Sequence, residues 1–226
     1  DMDGLPVTEE SSISWKSKNE GCMHACGHDA HMAIMVTVAG ILIKNPPKKG
    51  KVIFIFQPAE EGGRGAQRML EEGLELKDVD HALSFHVWSP FPVGTVAIVR
   101  GAAMASVDRF TAVVSGKGTH AAVPEGGIDP VVIAAQIVST AQTLVSRRTS
   151  PQHAGVLSFT SIHGGTTHNV IPSSVELMGT IRALDTDVRK RIKEELVNLA
   201  SSLASSMGGH FKLDFIGGLP VLDNDR

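Results

Sequence analysis

A thiol, three imidazoles and a carboxylate share one short segment, Met23-His24-Ala25-Cys26-Gly27-His28-Asp29-Ala30-His31. Thiolate, imidazole and carboxylate are the groups that bind Zn²⁺ and its first-row neighbours. Cys26 and His28, one residue apart, can reach a single ion from an extended loop. The other half of such a site is offered by Gln57-Pro58-Ala59-Glu60-Glu61-Gly62-Gly63, where two adjacent carboxylates follow the apolar run Val52-Ile53-Phe54-Ile55-Phe56. Burying two carboxylates side by side is costly unless a cation or hydrogen bonds compensate. A metal would do so: one carboxylate on the ion, the other free to take a proton from an activated water. His86, in Ser84-Phe85-His86-Val87-Trp88, is the next candidate ligand. Taken singly, each piece has a plainer reading: a buried thiol beside a capping histidine, a solvated Glu-Glu turn, a core histidine. Together they favour a metal centre. His24 and His31 fit it less well; His31 reads as a core histidine or one lying behind the ligands, with Asp29 orienting a ligand ring. His81 reads as surface.

The elements that must position these groups follow from periodicity. Val52 to Phe56 and His81 to Val87 lack period-2 alternation, as strands buried on both faces of a parallel sheet do, and Gly65 to Glu72 between them reads as a short helix. Strand, helix, strand is a βαβ unit, and ligand crevices of open α/β sheets lie beyond the carboxyl ends of strands, where Glu60, Glu61 and His86 fall. The apolar stretch Ala30 to Ile43 is predicted to be a buried helix. From about Arg109 the pattern changes. A strand to Ser115 is followed by a helix capped by Asp129 and Pro130 and running to about Arg147. Strands at Ala154 to Ile162 and Val175 to Leu184 come next. A helix then carries Ile192, Leu196, Leu199, Leu203 and Met207 on one stripe and stops at Gly208, before a strand at Phe211 to Phe215. The order βαββαβ is that of a ferredoxin-like layer. The expected division is an α/β metal-binding domain at 1–104, an α+β domain at 105–216, and a return toward the first domain at 217–226.

The 226 residues carry 21 Lys and Arg against 24 Asp and Glu, a net charge of −3, which gives no sign of the basic surface that neutralises phosphates, so no nucleic-acid partner is expected. The longest apolar stretch falls short of the roughly 20 residues that span a bilayer, so no membrane partner is expected. The two cysteines, Cys22 and Cys26, imply no disulfide framework. Cytoplasmic location is the default expectation. Gly62-Gly63-Arg64-Gly65 is not a phosphate loop, since no Gly-Lys-Ser/Thr follows.

In order along the chain, Asp1-Met2-Asp3-Gly4-Leu5-Pro6, MHACGHDAH, QPAEEGG, FHVW, GKGTHAAVP and NVIPSSVELMGTIRALD resemble the co-catalytic metallo-aminoacylase and carboxypeptidase family. The branch most resembled includes hippurate hydrolase, N-acetyl-diaminopimelate deacetylase and the plant auxin-conjugate hydrolases. The resemblance implies an aminopeptidase-like catalytic α/β domain holding two divalent ions (Zn, Mn, Co or Ni), with an inserted lid domain through which a homodimer forms. It implies Cys26, His28, Glu61 and His86 as metal ligands, Glu60 as general base and Asp3 as an orienting carboxylate. By the same likeness His120 reaches the partner subunit's site and stabilises an oxyanion, while Asn169 and Arg182 hold the substrate's carboxylate. The expected reaction is hydrolysis of an N-acyl-amino acid or a related amide, a small-molecule substrate. Family members extend further at both ends and supply a last histidine ligand beyond the lid, so the chain looks like a fragment of the catalytic domain. Thr119, where glycine is usual, is a smaller departure. Two other readings remain open: a non-catalytic fragment whose lid dimerises, and a structural zinc module around Cys22 and Cys26.

Overall fold

The structure, a computed structural model, describes residues 1–225 and divides into two compact units, Asp1–Thr95 and a second from Val96 onward.

In the first unit, α1 spans His28–Lys44 and α2 spans Gly65–Glu71. Gly27 caps α1 at φ 79°, a left-handed conformation that glycine adopts without a Cβ penalty. The helix expected from Ala30 is present, but it is not buried. Only His28 and His31 are enclosed, while Ile34, Val36, Ile41 and Ile43 are exposed. A helix apolar all round needs cover on every side, and this unit supplies little. The expected parallel strands are also absent: among the described residues of the unit the only β-pairing is an isolated bridge between Leu5 and Met23. Val52 to Phe56 and His81 to Val87 carry no ladder, and Val52, Ile53, Leu83 and Phe85 are exposed. β-Propensity expresses packing on a sheet, so an apolar run names a candidate strand without providing its partner. The expected βαβ unit is therefore reduced here to its helix.

The second unit has a clear layer structure. Its strands are β1 (Gly101–Met104), β2 (Val107–Ser115), β3 (Thr119–His120), β4 (Gly155–His163), β5 (Val170–Ile171), β6 (Ser174–Ala183), β7 (His210–Leu219) and β8 (Leu222–Asn224). Its α-helices are α3 (Pro130–Ala141), α4 (Thr143–Ser146) and α5 (Thr186–Ser206). The main sheet runs β4-β6-β2-β7, entirely antiparallel, with connections in the order βαββαβ. β2 and β6 alternate buried and open along their length, so one face meets α3 and α5 and the other does not. The core on that face joins Val114, Leu177 and Phe211 to Ile133, Ile137, Ala200 and Ala204, and Phe110 and Ile181 to Leu144, Ile192 and Leu196. Burying each large aliphatic side chain there contributes about 1.5–3 kcal/mol. Every buried apolar side chain among the described residues lies in this unit.

The helix starts are chemically explicit. Asp129 accepts hydrogen bonds from the Val131 and Val132 amides, with Pro130 in the first turn, and Asp185 does the same for Asp187 and Val188. The single helix expected after Asp129 breaks at Gln142 into α3 and α4. α5 buries Val188, Ile192, Leu196, Ala200 and Ala204, and Gly208 follows it at φ 79°. β8 pairs with β1 inside this unit.

Candidate metal centre

The first unit gathers most of the expected ligands. The Cys26 Sγ lies 3.4 Å from His86 Nε2, and Cys26, His28 and His86 present ligand atoms within 4.8 Å of one another. His28, Glu60 and Glu61 form a second such group, and Asp1, His28 and His31 a third. His28 belongs to all three, and it is buried.

The tautomers point the right nitrogens inward. His28 Nδ1 donates to the Asp3 carbonyl at 2.9 Å, and His86 Nδ1 donates to the Val87 carbonyl at 2.6 Å. Each neutral ring therefore keeps its Nε2 lone pair free, the state in which imidazole binds a metal. His28 Nε2 is buried and has no hydrogen-bond partner. A buried acceptor without a partner is a cost that a cation removes. The donor set of thiolate, imidazole and carboxylate and this orphaned nitrogen both fit a divalent ion.

Asp3 makes its contacts through its carbonyl as well as its carboxylate. Its carbonyl also lies 3.1 Å from His24 Nδ1, and its Oδ2 accepts the Glu61 amide at 2.8 Å. Its Oδ1 lies 3.2 Å from His28 Nδ1, outside hydrogen-bonding geometry. Burial pushes the Asp3 carboxyl up, but the amides of Glu61 and Glu60 and the nearby His28 outweigh it and hold the group below the usual carboxylate range. Burial, together with the Glu61 carboxylate, pushes the Cys26 thiol up. A bound cation would reverse that balance, since a coordinating thiol is deprotonated.

Several expectations change. Glu60 and Glu61 are exposed in a turn, not buried, and the residues flanking it, Ala59 at φ 57° and Arg64 at φ 55°, take left-handed conformations. His86 is exposed, not a core side chain, since no ladder encloses its segment. Asp29 orients no ring: its Oδ1 accepts the Ala30 amide, and the Asp3 carbonyl does the ring-holding. His31 is buried and accepts the Val87 amide on Nε2, and burial pushes its pKa down. Cys22 belongs to none of the three groups, and both cysteines are free. Asp1 was missed. In an extended Asp-Met-Asp segment alternate residues share a face, so the i, i+2 spacing was the available signal.

In the second unit, β3 pairs with β5, setting His120 opposite Val170 beside Asn169, whose carbonyl accepts the Ala121 amide. His120 Nδ1 accepts the Ala122 amide at 3.1 Å, leaving Nε2–H as an exposed donor. Thr119 uses its hydroxyl to close this loop on the Val123 carbonyl. Arg182 is half-buried on the open face of β6, and its guanidinium meets the carbonyls of Ile181 and Asp108 and the Thr180 hydroxyl.

The model of peptidase family M20/M25/M40 matches residues 1–210. The chain belongs to this family. The M20 chain is 39% identical to the N-acetyl-L-cysteine deacetylase of Bacillus subtilis (strain 168), across 100% of its own length and 54% of that protein's. It is 43% identical to the IAA-amino acid hydrolase ILR1-like 2 of Arabidopsis thaliana over 89% of its length and 46% of the relative's. Among solved structures it superposes on the Bacillus subtilis YXEP protein, a dinuclear metal-binding peptidase from the M20 family, with a TM-score of 0.84 and 37% identity. That match covers 99% of this chain and 57% of the other. The M20 chain thus spans about half the length of the curated relatives it matches.

Proposed function

We propose that this chain is the metal-binding part of an amidohydrolase that releases a free amino acid from an N-acyl-amino acid or a related amide. The observation that carries the reading is the convergence of Cys26 Sγ with ring nitrogens of His28 and His86, beside Glu60 and Glu61. Relatives named as an N-acetyl-L-cysteine deacetylase and an IAA-amino acid hydrolase support the substrate class.

Cys26, His28, Glu61 and His86 would hold two divalent ions, and Zn, Mn, Co and Ni all suit such donors. Bound there, the ions would polarise the amide carbonyl and acidify a water. Glu60, exposed and adjacent to the ligand Glu61, takes the water proton and delivers it to the departing nitrogen. Asp3 fixes the Glu61 backbone and the His28 ring. The β3–β5 loop acts as part of a lid that also joins two copies. From it, His120 Nε2–H reaches the site of a second copy and donates to the developing oxyanion there, and Asn169 and Arg182 bind the substrate carboxylate.

The test uses the full-length protein with a panel of N-acyl-amino acids and added Mn²⁺ or Zn²⁺. Glu60→Gln should lower kcat about 10²–10⁴-fold while metal content stays the same. Unchanged turnover with metal still bound would remove Glu60 from the mechanism.

A further inference from the structure

His86 is held by no ladder, yet its Nε2 stands in place against Cys26. The group that fixes it is the next residue. The Val87 carbonyl accepts His86 Nδ1 at 2.6 Å, and the Val87 amide donates to His31 Nε2 at 3.0 Å. The Val87 side chain also lies so close to the metal-loop backbone that a Cβ built on Gly27 would sit 2.5 Å from its Cγ2. His31 itself cannot drift. It is buried on α1 one turn after His28, and its own amide bonds the Gly27 carbonyl.

We propose, resting on the metal-centre reading above, that His31 is a positioning residue that anchors the Val87 peptide to α1 and so presets His86 opposite the Cys26-Gly27-His28 loop. Donation from the Val87 amide requires a lone pair on His31 Nε2, so the proton sits on Nδ1, which faces Asp1 Oδ2 at 3.8 Å. His31 and His86 meet edge to face with ring centres 4.6 Å apart, and with the Nε2 lone pair taken by the Val87 amide and the proton on Nδ1, neither His31 nitrogen is left to hold an ion. The helix therefore transmits its rigidity to an exposed ligand through a single peptide group. Partners that orient a ligand in this way typically change metal affinity about 10–100-fold when lost.

Two variants of the full-length protein separate the hydrogen bond from packing. His31→Phe keeps a ring and loses the acceptor; His31→Gln keeps an acceptor at similar reach. In the metal-free protein, exchange of the Val87 amide followed by NMR should quicken about tenfold or more in His31→Phe and stay slow in His31→Gln. Titration with Co²⁺, read by chelator competition and by the thiolate-to-cobalt absorption band, should give about 10–100-fold weaker binding for His31→Phe. Binding by His31→Gln should lie within about threefold of the unaltered protein, against that same scale. Equal Co²⁺ affinity in His31→Phe and the unaltered protein overturns the brace and leaves the metal centre standing. So does equal impairment of both variants, which would mean packing. Loss of one ion per chain in both would make His31 a ligand and also overturn the brace. If the unaltered protein takes up no Co²⁺, the metal reading itself falls and the presetting role with it.

Discussion

Two demands meet at Gly27. Its φ of 79° lies where a side chain is strained, and Val87 occupies the space that a Cβ would take. An alanine there costs about 1–2 kcal/mol for the left-handed conformation alone. The close approach adds a displacement of Val87, to which His86 is tied. Gly27→Ala should therefore weaken Zn²⁺ binding in a competition titration while leaving the second unit's thermal transition where it is. Undiminished affinity would mean that the loop and Val87 can separate without moving His86. Residue type and spacing made Cys26, His28, Glu60, Glu61 and His86 readable as candidates for one centre. It gave no hint that the rings are oriented by the carbonyls of Asp3 and Val87, since a backbone acceptor has no letter. The positive φ of Ala59 and Arg64, on either side of the Glu60-Glu61 turn, was equally silent because neither residue is a glycine.

At the scale of elements, legibility tracked local chemistry. The Asp129 cap with Pro130 and the stop at Gly208 are written in neighbouring residues, and with the apolar segments between them they carried the βαββαβ order. The strands expected at Val52 to Phe56 and His81 to Val87 depended on distant partners, and composition could not supply those. The same limit hid the ionic tie between β2 and α5. Asp108 is fully buried, with Arg189 Nε at 2.6 Å and Lys193 Nζ at 2.9 Å, residues some eighty positions away along the chain. Burial pushes the Asp108 carboxyl up, but hydrogen bonds from Arg189 and Lys193 outweigh it and hold the pKa below the ordinary value. A folded pKa below the unfolded one gives stability that is fully present above about pH 4 and is lost as pH falls through the folded value. Urea midpoints of the second unit should accordingly drop as the pH falls below about 4, and Asp108→Asn should remove that part of the slope. Asp108→Ala, leaving two cations without their partner, should cost about 3–5 kcal/mol at neutral pH. A loss near zero would mean that Arg189 and Lys193 turn to solvent without penalty.

Across the whole chain, stability and chemistry are unevenly distributed. The buried apolar side chains belong to the second unit, whereas the three candidate ligand groups belong to the first. A unit with little apolar burial draws more of its order from whatever binds it, by mass action: a ligand at a hundred times its Kd adds about 2.7 kcal/mol to the folded state. The sequence provides a selective reporter. Its two tryptophans, Trp15 and Trp88, both lie in the first unit, and there is no tyrosine. Trp88 sits with its ring 6.0 Å from that of His86, edge to face. Zn²⁺ should therefore change tryptophan emission and raise the midpoint of unfolding read by that emission, and a chelator should reverse both. Ellipticity, which reports α1 together with α3 and α5, should in addition show a component from α3 and α5 that Zn²⁺ does not move. Coincident shifts of emission and ellipticity would instead mean that one cooperative unit spans the chain, and that metal binding stabilises the helix-covered sheet as well as the loops that hold the ligands.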